Sequence, residues 1–173
     1  MNRPLTLVIS LVVGATLLAC GGSAKLDYPG TEEGARALLT DLMKPDADRA
    51  AMTKALEPTD AQYKAYFVGD AAAKAQETYK GLWGGANMVI APKDGQTELL
   101  LESATTEDLQ AWNDKAGPFP GGYKDVAAQL KPGVTVYRFK FVKPGETLGM
   151  AFDGLAFVEG RWAIFPKPWR ALR

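Results

Sequence analysis

Hydrophobic and polar positions change rhythm twice along this chain. From Leu5 to Leu18 the run is apolar except for Thr6, Ser10 and Thr16 and two small residues, Gly14 and Ala15. From Thr31 to Trp83 apolar residues recur at spacings of three and four, the period of a helix with one buried face. From Val134 onward they alternate with polar ones, the period of a half-buried strand.

The helical part divides by its caps. In "TEEGARALLTDLMKP" Ala35, Leu38, Leu39 and Leu42 share a face, Thr31 is placed to cap, and Glu32 and Glu33 suit a positive helix start. Lys44-Pro45 closes that helix, and a second is predicted over Asp48–Leu56, ended by Pro58. The longest helical stretch runs from Pro58 to Trp83. Thr59 or Asp60 caps it, and Tyr63, Tyr66, Phe67, Ala71 and Lys74 keep the spacing. Gly69-Asp70 kinks or divides it, and Gly81 and Gly84-Gly85 end it.

Next, "NMVIA" and "QTELLLES" flank "PKDG", which predicts a hairpin turning at Asp94-Gly95. Short helices are predicted at Thr106–Trp112 and at Gly122–Leu130, the latter with Tyr123, Val126, Ala127 and Leu130 on one face. "AGPFPGG" between them is a loop. In "VTVYRFKFV" Tyr137, Phe139 and Phe141 face one way, Arg138 and Lys140 the other. "TLGMAFDGLAFV" places Leu148, Met150 and Phe152 on one face, then slips phase at Asp153-Gly154, which requires a bulge or bend. Glu159-Gly160 turns the chain into "RWAIFP". The expectation is an α+β domain, with N-terminal helices packed on a curved antiparallel sheet that ends in a three-stranded meander.

The ending "AFVEGRWAIFP" resembles the last hairpin of nuclear transport factor 2-like (cystatin-like) domains. The resemblance covers about the last thirty residues well and the order of elements loosely. It implies a cone-shaped sheet over helices, and some enzymes of that fold act on small apolar substrates through a carboxylate base.

Composition narrows the chemistry. Lys plus Arg and Asp plus Glu balance at 20 each, with no stripe of either sign, so binding of nucleic acid through a basic face is not expected. Histidine is absent and Cys20 is the single cysteine. Beyond residue 20 there is therefore no imidazole base, no thiol nucleophile, no disulfide and no His or Cys metal ligand. Ser103, the one serine after the first thirty residues, sits in "LESATTE", which matches no nucleophile elbow and no Ser-x-x-Lys pair. Glu107, Asp108, Asp114 and Asp125 do not form a calcium loop. No metal or cofactor is expected, and catalysis, if any, rests on carboxylates, tyrosines, lysines or a bound metal that prefers oxygen ligands.

The N-terminal run changes the picture again. Arg3 followed by a short apolar stretch and small residues has the parts of a secretory signal. It is shorter than the roughly 20 residues that span a bilayer. The stretch Leu17-Leu18-Ala19-Cys20 resembles the lipobox of bacterial lipoproteins. That resemblance implies cleavage before Cys20, so that residues 1–19 are removed, and diacylglyceryl and acyl groups on Cys20. Each buried methylene contributes about 0.8 kcal/mol, so two or three chains anchor firmly. Residues 20–30, opening Gly21-Gly22-Ser23, read as a tether whose root-mean-square reach is under ~20 Å, and residues 31–173 as a single domain held near the membrane. Gly21, where an aspartate would resemble an inner-membrane retention signal, implies the outer membrane, facing the periplasm, in a Gram-negative host.

Candidate sites have two readings each. Asp153 is either a carboxylate aimed into an apolar pocket, a general base working with a tyrosine such as Tyr137, or an Asp-Gly bulge whose side chain bonds its own backbone. Phe139, Phe141, Phe152 and Trp162 either line a ligand cavity or form ordinary core. Arg138 and Lys140 are a solvated face or contact anionic head groups. Pro166 and Pro168 favour an extended strap that Trp169 docks on the sheet or offers to a partner. Three functions follow: a non-catalytic envelope lipoprotein binding a small apolar ligand, a lipid or an envelope protein; an isomerase or dehydratase using Asp153 and a tyrosine; or a structural, assembly role.

Overall fold

The structure is a computed structural model, and it describes residues 26–85 and 88–173. The apolar leader, Cys20 and the first part of the tether lie outside the described residues. Among the described residues, four helices, a first strand, a short helix α5 (Thr106–Ala111), three further strands and a last helical turn follow one another, the four strands forming one antiparallel sheet. No helix among the described residues is long and apolar enough to cross a membrane.

The helices begin where their caps predict. Thr31 Oγ1 accepts the Gly34 N–H at the start of α1 (Glu32–Met43), which buries Ala35, Leu38, Leu39 and Leu42. Asp48 caps α2 (Arg49–Ala55) through Ala51 N–H. Arg49 reaches back to the Leu42 and Lys44 carbonyls at 2.9 and 2.7 Å, satisfying acceptors that the end of α1 leaves open. Thr59 and Gln62 form a capping box on α3 (Asp60–Tyr66). Gly69, at φ +50°, divides α3 from α4 (Ala71–Gly84).

The sheet runs β1 (Glu98–Thr105), β2 (Thr135–Val142), β3 (Gly149–Val158), β4 (Arg161–Ile164), each strand antiparallel to the next. Between β2 and β3 the register slips: Arg138 faces Asp153 and Tyr137 faces Leu155, leaving Gly154 unpaired at φ +85°. This is the bulge that the phase slip predicts, and it bends the strand. Glu159 and Gly160, at φ +53° and +67°, make the tight turn into β4. Gln62 Nε2 donates to the Val158 and Arg161 carbonyls flanking that turn, which fastens α3 to the hairpin.

Four expectations need correction. Asp94-Gly95 does turn, but "MVIA" forms no strand. The Ile90 N–H that a ladder would use is taken by Thr53 Oγ1 at 2.9 Å, and β1 pairs with β2 instead. Gly122–Leu130 forms two 3-10 turns, Gly121–Asp125 and Ala127–Gln129, rather than an α-helix. The Gln129 carbonyl accepts Val68 N–H, Lys131 N–H binds the Tyr66 carbonyl, and Leu130 bridges Phe67, so the backbone is spent on the α3–α4 connection. Its apolar face is nonetheless buried as the spacing implies. Leu148 precedes β3 and is 79 % exposed, so it does not share the Met150–Phe152 face.

The fourth concerns the domain edge. Residues 26–30 are docked rather than free. Leu26 and Tyr28 are half-buried, Tyr28 O–H donates to Asp41 at 2.5 Å, and Trp162 Nε1–H donates to the Tyr28 carbonyl at 3.1 Å. Gly30 lies so close to the Phe157 ring that a Cβ would overlap it.

Candidate functional site

The bulge at Gly154 aims the site. A Cβ there would lie 2.1 Å from the Phe165 carbonyl oxygen, and Phe165 N–H donates to the Gly154 carbonyl at 2.9 Å. β3 and the chain leaving β4 are thus pressed together, which brings Asp153 beside the strap that follows. The Asp153 side chain is buried, at 6 % exposure. Its Oδ1 accepts Lys167 N–H at 2.9 Å and Tyr123 O–H at 3.2 Å. Neither donor belongs to its own turn, so the side chain spans three segments of the fold.

The strap, residues 166–172, is stitched to α4. Tyr79 O–H donates to the Pro166 carbonyl (3.0 Å), Thr78 O–H to the Ala171 carbonyl (3.0 Å) and Lys74 Nζ to the Leu172 carbonyl (2.9 Å). The strap is not the extended one that Pro166 and Pro168 suggest: Lys167 takes φ +52° and α6 (Pro168–Ala171) begins at once, with Pro168 at its first turn, where its missing N–H costs nothing. Trp169 is half-buried, edge-on to Tyr123 at 5.2 Å, and Gly122 fits beneath its ring.

Between α4, the first half of β3 and this strap lies a pocket of about 460 Å³, within the usual size of small-ligand sites. Leu82, Met88, Met150 and Phe152 supply apolar walls, Tyr79 and Asp153 its buried polar groups, Lys167 and Arg170 its exposed edge. No family model, curated protein or solved structure matches the chain. The reading of this pocket therefore rests on its residues.

Burial raises the Asp153 carboxyl above the ordinary Asp value; the Lys167 amide, the Tyr123 hydroxyl and the charges of Lys167 and Arg138 oppose that without cancelling it. Three buried tyrosines surround it. Tyr66, Tyr79 and Tyr123 are all pushed up, by burial first; for each, the Asp153 charge adds to the effect. Tyr66 stacks on Phe165 at 4.1 Å between centroids. Its hydroxyl lies near that of Tyr123 but has no hydrogen-bond partner of good geometry among the described residues.

The other sequence candidates fall elsewhere. Tyr137 packs edge-on against Trp162 at 5.6 Å and is raised by burial and then by Glu32 and Glu33; no hydrogen bond joins it to Asp153. Of the four aromatic candidates, Phe152 lines the pocket. Behind it Phe139 stacks at 5.1 Å and Phe141 meets it edge-on at 5.9 Å, both as buried core. Trp162 belongs to the cluster with Phe157 and Tyr28. Among the described residues no group of three His, Cys, Asp or Glu could hold a metal.

Tyr66, Tyr79 and Tyr123 were not legible as site residues. Tyr79 shares a helix face with the buried Ala72 and Ala75, which marks it as core, and only the long-range pairing with the strap shows its role.

Proposed function

We propose that this chain is a membrane-anchored envelope lipoprotein whose α+β domain binds a small apolar ligand without transforming it. The anchor rests on the sequence around Cys20. One observation carries the binding: an apolar pocket whose third side is a strap fastened by four hydrogen bonds to α4 and β3. The lipid on Cys20 would hold the pocket close to a membrane, the outer membrane on its periplasmic side in a Gram-negative host, where apolar molecules partition.

Two measurements test the parts separately. Labelled palmitate should enter the wild-type chain and not the Cys20→Ser variant; an unmodified thiol in the mature protein sinks the anchor. In lipid nanodiscs, phenylnaphthylamine fluorescence above that of empty discs should appear with the full chain. It should vanish in Met150→Trp, which fills the pocket, while circular dichroism is kept. Equal fluorescence in both sinks the pocket.

The raised Asp153 carboxyl at the edge of an apolar space favours one second reading, an isomerase or dehydratase with Asp153 as base. Its partner would be Tyr79 or Tyr123 rather than Tyr137. Deuterium exchange from solvent into the α-carbons of a cyclic ketone, abolished in Asp153→Asn, would support catalysis, and its absence would leave the binding role.

A further inference from the structure

Asp153 divides its oxygens. Oδ1 takes both donors that the protein offers, the Lys167 amide and the Tyr123 hydroxyl. Oδ2 receives no hydrogen bond from the described residues, and Asp153 lines the pocket. Carboxylates accept strongly and at several lone-pair sites. Two donors on one oxygen also match an ionised group, with Lys167 and Arg138 as its nearby charges. Leu82, Met88, Met150 and Phe152 make the pocket apolar, while the cations Lys167 and Arg170 stand at its exposed edge.

We infer that the pocket selects an apolar molecule carrying one hydrogen-bond donor, a hydroxyl, which seats on Asp153 Oδ2. This rests on the binding role of the pocket proposed above and adds the chemistry of what it takes. An apolar molecule with only an acceptor, such as a ketone, leaves Oδ2 without a donor and binds more weakly. A hydrogen bond to a charged group is among the stronger ones, so the hydroxyl is preferred by roughly tenfold.

The test uses trifluoromethylcyclohexanol and the matching ketone, observed by fluorine NMR with the full chain in nanodiscs at mildly alkaline pH, against empty discs. The wild-type chain should bind the alcohol about tenfold tighter than the ketone. In Asp153→Asn the amide oxygen can keep the Lys167 and Tyr123 bonds while the amide nitrogen takes the open position as a donor. The preference should then invert toward the ketone. Equal binding of both by the wild-type chain overturns the inference and leaves the pocket standing. No binding of either, together with no phenylnaphthylamine signal, overturns the pocket itself. An unchanged preference in a folded Asp153→Asn chain places the hydroxyl elsewhere and overturns the role of Asp153.

Discussion

Asp153 on β3 accepts the backbone N–H of Lys167, fourteen positions along the chain, at 2.9 Å. That bond ties the bulge to the strap and so builds the pocket from two otherwise separate pieces. Asp153→Ala would leave the Lys167 amide and the Tyr123 hydroxyl with no acceptor. Each buried group so stranded costs about 1–3 kcal/mol. Urea unfolding should show a loss of about 2–4 kcal/mol for Asp153→Ala, and under about 1 kcal/mol for Asp153→Asn, which retains an acceptor. Similar losses in both would mean that the carboxylate charge, not its geometry, holds the strap.

The same residue sets a pH dependence of unusual sign. Its folded value lies above the ordinary Asp value, so the folded chain holds this proton more tightly than the unfolded chain. Its contribution to stability is fully present below the ordinary value and is lost as pH rises through the raised one. Glu33, Asp41, Glu107 and Asp108 are lowered by hydrogen bonds, from its own amide, Lys44, its own amide and Asn113 respectively, and slope the opposite way. The difference between Asp153→Asn and wild type isolates Asp153. Urea midpoints should shift in favour of the variant as pH climbs from about the ordinary Asp value, then level off. A flat difference would show that burial exacts nothing from this carboxyl.

Two helical glycines should respond to alanine with opposite signs. Gly81, in α4, has nothing within 4 Å of a new Cβ, so Gly81→Ala should stabilise by up to about 1 kcal/mol. Gly34, in α1, meets the Pro29 carbonyl oxygen at 1.8 Å. There Gly34→Ala must displace docked backbone and should destabilise, despite the better helix former. Thermal melts of both variants decide it, and a stabilising Gly34→Ala would show that residues 26–30 are not held against α1.

Gln62 joins two elements with one side chain. Its oxygen accepts the Thr59 N–H at 3.0 Å and its nitrogen binds two carbonyls of the β3–β4 hairpin. Gln62→Glu keeps the cap but turns a donor into a charge facing those carbonyls. It should destabilise more than Gln62→Ala, which itself should lose about 2 kcal/mol or more. The order of the two variants in urea is the measurement; the reverse order would mean that the cap matters more than the hairpin.

Local signals made most of the fold readable. Thr31, Asp48 and Thr59 mark helix starts because their side chains bond amides within a turn. Asp153-Gly154 betrays the bulge because a strand cannot change its buried face otherwise. "MVIA" misled because its apolar residues suit either a strand or a buried segment, and Thr53, far away in sequence, decides. The same distance hid the site. Tyr66, Tyr79 and Tyr123 come from three segments and converge on Asp153 only through tertiary packing, whereas Asp153 stood out through its own neighbours.

Tyr28 gives the molecule a mechanical property. A pull applied at residue 20 would travel along the intervening chain and meet Tyr28, whose hydroxyl is moored to Asp41 on α1 and whose carbonyl is moored to Trp162 on β4. None of these three residues lines the pocket. Strain entering from that side would be dissipated at that mooring, and the pocket would stay undisturbed until both bonds had given way.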